Sequence, residues 1–168
     1  MRRSYLLVLL LGILSAVPGC PKAGGAYVEG DRPEGYVDRG ETQGRMFDFV
    51  SNKPDGDDWQ IRIRGSSMWA SYASEEDTDE LGSRNLTKDE TTKVWDLIDK
   101  LEIPDRKKGK KDEDEGYVQL RLREPGADDE YEFFTIYVSR DTEDDDVLEL
   151  ADYLSELIEK YHQQKPSF

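Results

Sequence analysis

The fold of this chain is decided by residues 117–138, YVQLRLREPGADDEYEFFTIYV. Val118, Leu120 and Leu122 alternate with polar side chains. A second run with the same alternation follows the polar segment 124–129. Strict alternation is typical of a half-buried strand, and two such runs around a short polar turn predict a β-hairpin. The aliphatic side chains are expected to face the core, so their neighbours in the sequence face the other way.

A second hairpin is predicted upstream. In residues 59–65 (WQIRIRG) the apolar side chains again occupy every second position, and the Gly65-Ser66 turn leads into residues 68–74, MWASYAS. Residues 46–50 (MFDFV) are interpreted as a short strand, whereas the acidic stretch 75–85 is predicted to be a polar loop.

Each hairpin is followed by a helix. Thr87 and Glu90, three residues later, form a capping box at the start of LTKDETTKVWDLIDKLEIP. The last helix is predicted at about 143–161, with Asp141 or Thr142 as its N-cap and an apolar stripe at helical spacing.

These elements predict an α+β fold in two layers with the order ββαββα, in which an antiparallel sheet carries two helices packed on one face. Residues 46–168 are expected to form this single domain. Residues 20–45 are rich in glycine and poor in aliphatic side chains, so they are interpreted as a flexible tether. Residues 1–19 form a separate leader.

The leader has the layout of an export signal. Arg2 and Arg3 precede an apolar stretch from Leu6 to Leu14, and small or turn-forming residues follow. A spanning helix needs about 20 apolar residues, so this stretch is too short for one. The sequence RRSYLL partly matches a twin-arginine signal. Two export routes therefore remain as alternatives: the twin-arginine pathway and general export of the unfolded chain.

The only cysteine of the chain, Cys20, ends this leader. The sequence Val17-Pro18-Gly19-Cys20 resembles the lipobox of bacterial lipoproteins, with Val17 and Pro18 departing from the commonest residues. The resemblance implies that the Cys20 thiol is alkylated with diacylglycerol, that the leader is cut before it in the manner of signal peptidase II, and that the new amino terminus carries a palmitate-type chain. Because Pro21 is not the aspartate that retains many lipoproteins in the inner membrane, the resemblance implies a lipid-anchored protein of the bacterial cell envelope in the outer membrane.

The chain is strongly acidic, with a net charge of −15 at pH 7. Removal of a leader that holds two arginines and no acids makes the remainder more negative still. General nucleic-acid binding needs a basic face and is therefore excluded. The basic run 106–111 (RKKGKK) is followed at once by the acids of 112–115, and we interpret it as a solvated loop.

Catalytic residues are not evident in the sequence. His162 is the only histidine and lies near the end of the last helix, so no Ser-His-Asp arrangement can be assigned. We therefore expect a protein that is not an enzyme and has no cofactor. Two alternatives stay open: an envelope glycan hydrolase that acts through a carboxylate pair, and a calcium-dependent adhesion or scaffold module. Weak calcium binding would use the acidic clusters, although none matches an EF-hand loop: 55–58, 75–80, 112–115, 128–130 and 141–146.

The side of the predicted sheet that faces away from the helices carries the best candidate for a binding surface. Arginine and aromatic residues are enriched in protein interfaces. We predict that this face binds an envelope protein, peptide or glycan through Arg62, Arg64, Tyr117, Arg121, Arg123, Tyr131, Phe133 and Tyr137. In the alternative interpretation these residues only favour strands, or the 46–50 segment folds across the face and covers it.

Overall fold

The structure is a computed structural model that describes residues 44–54, 56–74, 78–126 and 130–168. The predicted leader, the lipidation site Cys20 and nearly all of the predicted tether lie outside the described residues. The described strands are β1 (Met46–Asn52), β2 (Asp58–Arg64), β3 (Ser67–Ala73), β4 (Thr78–Asn85), β5 (Tyr117–Pro125) and β6 (Tyr131–Ser139). The helices are α1 (Lys88–Lys100) and α2 (Asp145–His162), and a single 3₁₀ turn covers Ile103–Asp105.

The described strands form one antiparallel sheet in the order β4-β3-β2-β1-β5-β6. The predicted α+β class is confirmed, but the predicted order ββαββα is wrong because four strands, not two, precede α1. Two strands lie outside the predicted hairpin: β1, which was expected only as a short strand, and β4, which lies in the stretch predicted to be a loop. Its sequence, TDELGSRN, has no apolar alternation, and its backbone hydrogen bonds to β3 hold it at the sheet edge.

β1 lies in the middle of the sheet. It pairs with β2 on one side and with β5 on the other, so its backbone is hydrogen-bonded on both sides. The alternative in which residues 46–50 cover the arginine and aromatic face is therefore wrong: the segment is part of the sheet. A strand flanked on both sides brings its own side chains between those of β2 and β5.

One face of the sheet is buried. The alternating aliphatic side chains of the strands form a single core with the apolar sides of both helices. Side chains of the sheet that are fully enclosed in this core are Phe47, Phe49, Ile61, Ile63, Met68 and Leu120. The apolar alternation in the sequence therefore identifies the core face correctly, as burial of Val118, Leu120 and Leu122 confirms.

The helix starts show how local chemistry directs this packing. At α1 the predicted capping box is present, since the Thr87 hydroxyl accepts from the Glu90 amide and the Glu90 carboxylate accepts from the Thr87 amide. At α2 the N-cap is Asp144, and the predictions of Asp141 or Thr142 are wrong. Asp144 is used because its carboxylate reaches the amides of Asp146 and Val147.

Arg45 extends the folded part upstream of β1. Its guanidinium lies 4.5 Å from the centre of the Trp95 ring and forms ion pairs of 2.5 Å with Asp99 and 2.7 Å with Glu124. Trp95 in turn donates a hydrogen bond of 2.9 Å from its ring nitrogen to the Gly65 carbonyl. Although the sequence places Arg45 in the tether, its side chain joins the entrance of β1 to α1 and β5.

Candidate functional site

The predicted binding residues all lie on one side of the sheet. We call this side the open face; it is the side opposite the helices. The strand register places Arg62 and Arg121 directly across from Asp48, and Arg64 and Arg123 directly across from Met46. Tyr117, Tyr131, Phe133 and Tyr137 follow on the open face of β5 and β6. Because these positions alternate with the buried aliphatic residues, the pleat of the strands alone brings the whole predicted set together.

Asp48 lies at the centre of the open face, and its side chain organises two of the arginines. One carboxylate oxygen accepts from Arg62 Nε at 2.6 Å, and the other lies 3.0 Å from Arg121 Nη2. Asp48 is only 2% exposed, whereas the side chains of Arg62 and Arg121 are 40% and 42% exposed. The carboxylate is therefore a buried anchor, and the two guanidiniums extend from it towards solvent.

The arginine quartet consists of Arg62, Arg64, Arg121 and Arg123. β2 and β5 are separated by one strand, so the quartet spans about 10 Å across the sheet and about 7 Å along the strands. Asp48 neutralises only one of these four charges. The result is a cationic patch on a protein whose net charge is −15.

Several donors of the quartet are not used within the described part of the chain. Arg64 is exposed and has no ion-pair partner among the described residues. Arg121 Nε has no hydrogen-bond partner there either. Arg123 differs, because its Nε and Nη2 donate to the Gly44 carbonyl at 3.2 and 3.0 Å. A guanidinium carries five N–H groups in a fork that matches carboxylate or phosphate oxygens, so the quartet can hold anionic groups.

Aromatic rings flank the quartet. The Arg123 guanidinium lies 4.4 Å from the centre of the Tyr131 ring. Tyr117 and Tyr137 meet edge to face at 5.9 Å, and Lys111 lies 5.1 Å from the centre of the Tyr117 ring. Stacking of this kind restrains long cationic side chains and keeps them over the sheet.

Phe133 is different from the other aromatic residues of the open face. Its side chain is 71% exposed. Exposed aromatic side chains of this size are the usual anchors of protein contacts.

Sequence reasoning missed three members of the open face. Asp48 and Met46 lie in a short segment whose partner strands could not be predicted from the sequence. The position of β1 between β2 and β5 assigns both residues to the open face. Trp69 on β3 lies across from Arg62, whose guanidinium is 5.9 Å from the centre of the ring. The alternation of MWASYAS was the available signal for Trp69.

An open cleft of about 540 Å³ lies at the other end of the sheet. It contains two carboxylates, Asp57 and Asp79, and two ammonium groups, those of Lys53 and Lys165. Asp57 accepts a hydrogen bond of 2.7 Å from the Tyr72 hydroxyl. Asp57 and Asp79 make this cleft a candidate place for the carboxylate-pair alternative.

Among the described residues, no three His, Cys, Asp or Glu side chains are grouped so as to hold a metal ion. In the acidic cluster 112–115, the carboxylate of Asp112 accepts from the amides of Asp114 and Glu115 and from the Ser139 hydroxyl. These hydrogen bonds hold the pKa of Asp112 below its usual value, although burial acts in the other direction. The carboxylate of Asp112 thus caps the start of the turn at residues 113–115.

His162 ends α2 and is half-buried. Its Nε2 has no hydrogen-bond partner in the part of the chain that the structure describes. Burial and the nearby positive charge of Arg84 lower its pKa. Both effects favour the neutral form of the ring.

No known protein-family model matches this chain, and no curated protein matches it. In the described residues, no helix is both long enough and apolar enough to cross a membrane.

Proposed function

We propose that this protein is a bacterial lipoprotein, anchored by lipid at Cys20 in the cell envelope and in its outer membrane. Its α+β domain acts without catalysis, as an accessory module that docks a partner on the open face. The partner is an envelope protein, peptide or glycan that presents anionic groups. The lipobox resemblance supports the anchor, and the arrangement of the arginine quartet supports the docking role.

The observation that carries the docking role is the arginine quartet around Asp48. Several guanidinium groups placed side by side on one face repel one another. If these arginines served only to stabilise the fold, we would expect an equal number of acidic side chains to pair with them. Here Asp48 orients Arg62 and Arg121 but leaves the patch with excess positive charge. On a chain of net charge −15 this patch is a place where an anionic partner is attracted rather than repelled.

Binding can be tested on the full chain with two carboxylate polymers, poly-L-glutamate as an acidic peptide and alginate as an acidic glycan. We expect one of them to bind by isothermal titration calorimetry, with an affinity that falls as salt is raised. Arg64→Gln should weaken binding about tenfold, since hydrogen bonds to charged groups contribute about 1.5 kcal/mol. Asp48→Asn should strengthen binding because it removes the one negative charge within the quartet.

Arg84→Gln is the matched control. Arg84 is an exposed arginine of the same sheet, but its register partner is the buried Met68, so it lies off the open face. It should leave binding unchanged. The docking proposal is contradicted if neither polymer binds, or if Arg64→Gln and Arg84→Gln have equal effects.

The anchor needs its own experiment. Wild type and Cys20→Ala are expressed in a bacterium that is fed a clickable fatty acid. We expect label on the wild type only, in the membrane fraction. An unlabelled, soluble wild type would contradict the anchor while leaving the binding result unaffected.

The cleft that contains Asp57 and Asp79 favours one second candidate, hydrolysis of an envelope glycan. That reaction needs two carboxylates about 5–10 Å apart on either side of the scissile bond. Release of reducing ends from purified envelope glycan, abolished by Asp57→Asn and by Asp79→Asn, would favour this candidate over the docking module. Loss of activity in only one variant would not fit a carboxylate pair.

A further inference from the structure

The two edges of the sheet are built differently. β4 is polar apart from Leu81, contains Gly82 with a φ of +79°, and pairs with β3 through a register shift between Ala70 and Ser71. Polar residues and bulges of this kind prevent an edge from pairing with another chain. β6 has neither feature: its sequence is YEFFTIYVS, and its pairing with β5 is regular over all nine residues.

Part of the β6 edge is capped by the chain itself. The amide of Tyr137 donates to the carbonyl of Lys108 at 2.7 Å, so the basic loop 106–111 lies against this end of the strand. Because this amide points away from β5, every second residue of β6 also directs its backbone groups outward. Those residues are Tyr131, Phe133 and Thr135, and none of their outward groups has a backbone partner among the described residues.

Residues 131–135 therefore form the part of this edge whose outward backbone groups have no backbone partner among the described residues. We call them the β6 edge segment. Phe133 is 71% exposed and Tyr131 is 47% exposed, which are large values for aromatic side chains on a strand. An exposed aromatic edge with unpaired backbone groups is a template for β-augmentation.

We propose that the β6 edge segment pairs with the same segment of a second copy of this chain. The two strands run antiparallel, with Phe133 of each copy facing the other on the two-fold axis. In this register the outward groups of residue 131 meet those of residue 135 of the second copy, so every outward group finds a partner. A single self-complementary segment is what a closed two-fold dimer requires.

The ends of the segment fit this arrangement. The paired register extends to residue 130 of the second copy, opposite residue 136, and so ends before Tyr137, whose amide is bonded to the 106–111 loop. Glu130 of one copy, which is exposed, then lies beside residue 136 of the other, next to the exposed lysines Lys108 and Lys110. Glu130 and the basic loop meet twice by symmetry, and this charge complementarity favours a second copy over an unrelated strand.

The dimer has a consequence that rests on the proposed function. Antiparallel pairing across a shared edge keeps both open faces on the same side of one continuous sheet. Two arginine quartets then face in one direction, so that an anionic partner with repeated groups is bound at two points.

Cross-linking tests the register directly. In a Cys20→Ser background, Phe133→Cys provides the only thiol of the full chain. Facing residues in a hydrogen-bonded antiparallel pair have Cα atoms about 5.5 Å apart, within the range that a disulfide spans. We expect Phe133→Cys to oxidise to a covalent dimer, and Leu148→Cys, on the exposed side of α2, to remain monomeric under the same conditions.

Sedimentation tests the association without a cross-link. We expect the Cys20→Ser full chain, in a fixed detergent buffer, to be a dimer, and Phe133→Lys to shift it to monomer because two facing lysines repel. Leu148→Lys is the matched control and should remain a dimer. Both exposed positions tolerate lysine, and far-ultraviolet circular dichroism checks that each variant is folded.

The proposal is overturned if the chain sediments as a monomer, in which case the edge is left for a strand of another protein. It is also overturned if a dimer persists in Phe133→Lys. Either result would remove the two-point binding but would leave the arginine quartet of each copy able to bind an anionic polymer, so failure of the dimer and failure of the docking role are separable.

Discussion

Replacing Glu90 with glutamine tests how the two helices are joined. The Glu90 carboxylate accepts from Lys160 Nζ at 2.6 Å and from the Tyr161 hydroxyl at 2.7 Å, both on α2. It also accepts from the Thr87 amide at 2.8 Å in the capping box. Glutamine keeps the shape and can complete a capping box, so Glu90→Gln removes chiefly the charge.

The expected loss of stability in Glu90→Gln follows from the pKa of Glu90. Burial acts to raise it, but the hydrogen bonds from Lys160, the Thr87 amide and Tyr161 outweigh burial and lower the pKa from 4.5 to about 2. Each pKa unit corresponds to about 1.4 kcal/mol, so ionised Glu90 stabilises the folded state by about 3 kcal/mol. The side chain of Glu90 is 13% exposed but that of Lys160 is 57% exposed, so solvent screens part of this interaction and about 3 kcal/mol is its upper limit.

The direction of this pKa shift determines how the stability contributed by Glu90 depends on pH. A carboxylate whose pKa is lower in the folded state contributes stability above its unfolded pKa and loses it as the pH falls. The contribution of Glu90 is therefore complete above about pH 5 and is lost between there and pH 2. Urea unfolding of wild type and Glu90→Gln should differ by about 1–3 kcal/mol at pH 7, because Lys160 is partly screened by solvent, and hardly at all at pH 2.

Glu159→Gln serves as the control, because Glu159 is an exposed acid on α2. Its effect on the free energy of unfolding should stay within about 0.5 kcal/mol at both pH values. A Glu90→Gln effect below about 1 kcal/mol at pH 7, or one that does not change with pH, would refute the coupling of α1 to α2 through this carboxylate.

Three further outcomes are expected. Leu154→Ala, at a fully buried site, should lower the free energy of urea unfolding by about 2–5 kcal/mol, whereas exposed Leu148→Ala should hardly change it. Gly109→Ala introduces a Cβ that overlaps the Tyr137 carbonyl oxygen at a φ of +70°, so hydrogen exchange at the Tyr137 amide should accelerate; unchanged protection would contradict this. Asp48→Asn should lower the unfolding free energy by about 1–3 kcal/mol, and equal stability would show that the buried charge is dispensable.

The local elements could be predicted because their causes lie within a few residues. The capping box of Thr87 and Glu90 needs only a spacing of three, and it is present as expected. The alternation around Leu120 and Ile61 depends only on the two-residue repeat of a strand, so the core face was identified correctly. The same repeat assigned Arg62 and Arg121 to the opposite face.

The N-cap of α2 and the edge strand β4 were not predicted. Asp141, Thr142 and Asp144 are all good caps, and the choice among them depends on where the chain leaves β6. β4 has no apolar repeat to detect, because backbone hydrogen bonds to β3 and the packing of a single apolar side chain, Leu81, hold it at the sheet edge.

The amino-acid sequence by itself determined the α+β class, the buried face of the sheet and the arginine and aromatic residues of β2, β5 and β6 on the open face, since each follows from a local repeat. Only the tertiary structure decided what those residues do together. The order of the strands inserts β1 between β2 and β5, and this places Asp48 between Arg62 and Arg121. Strand order is set by contacts between residues far apart in the chain, and no local pattern encodes it.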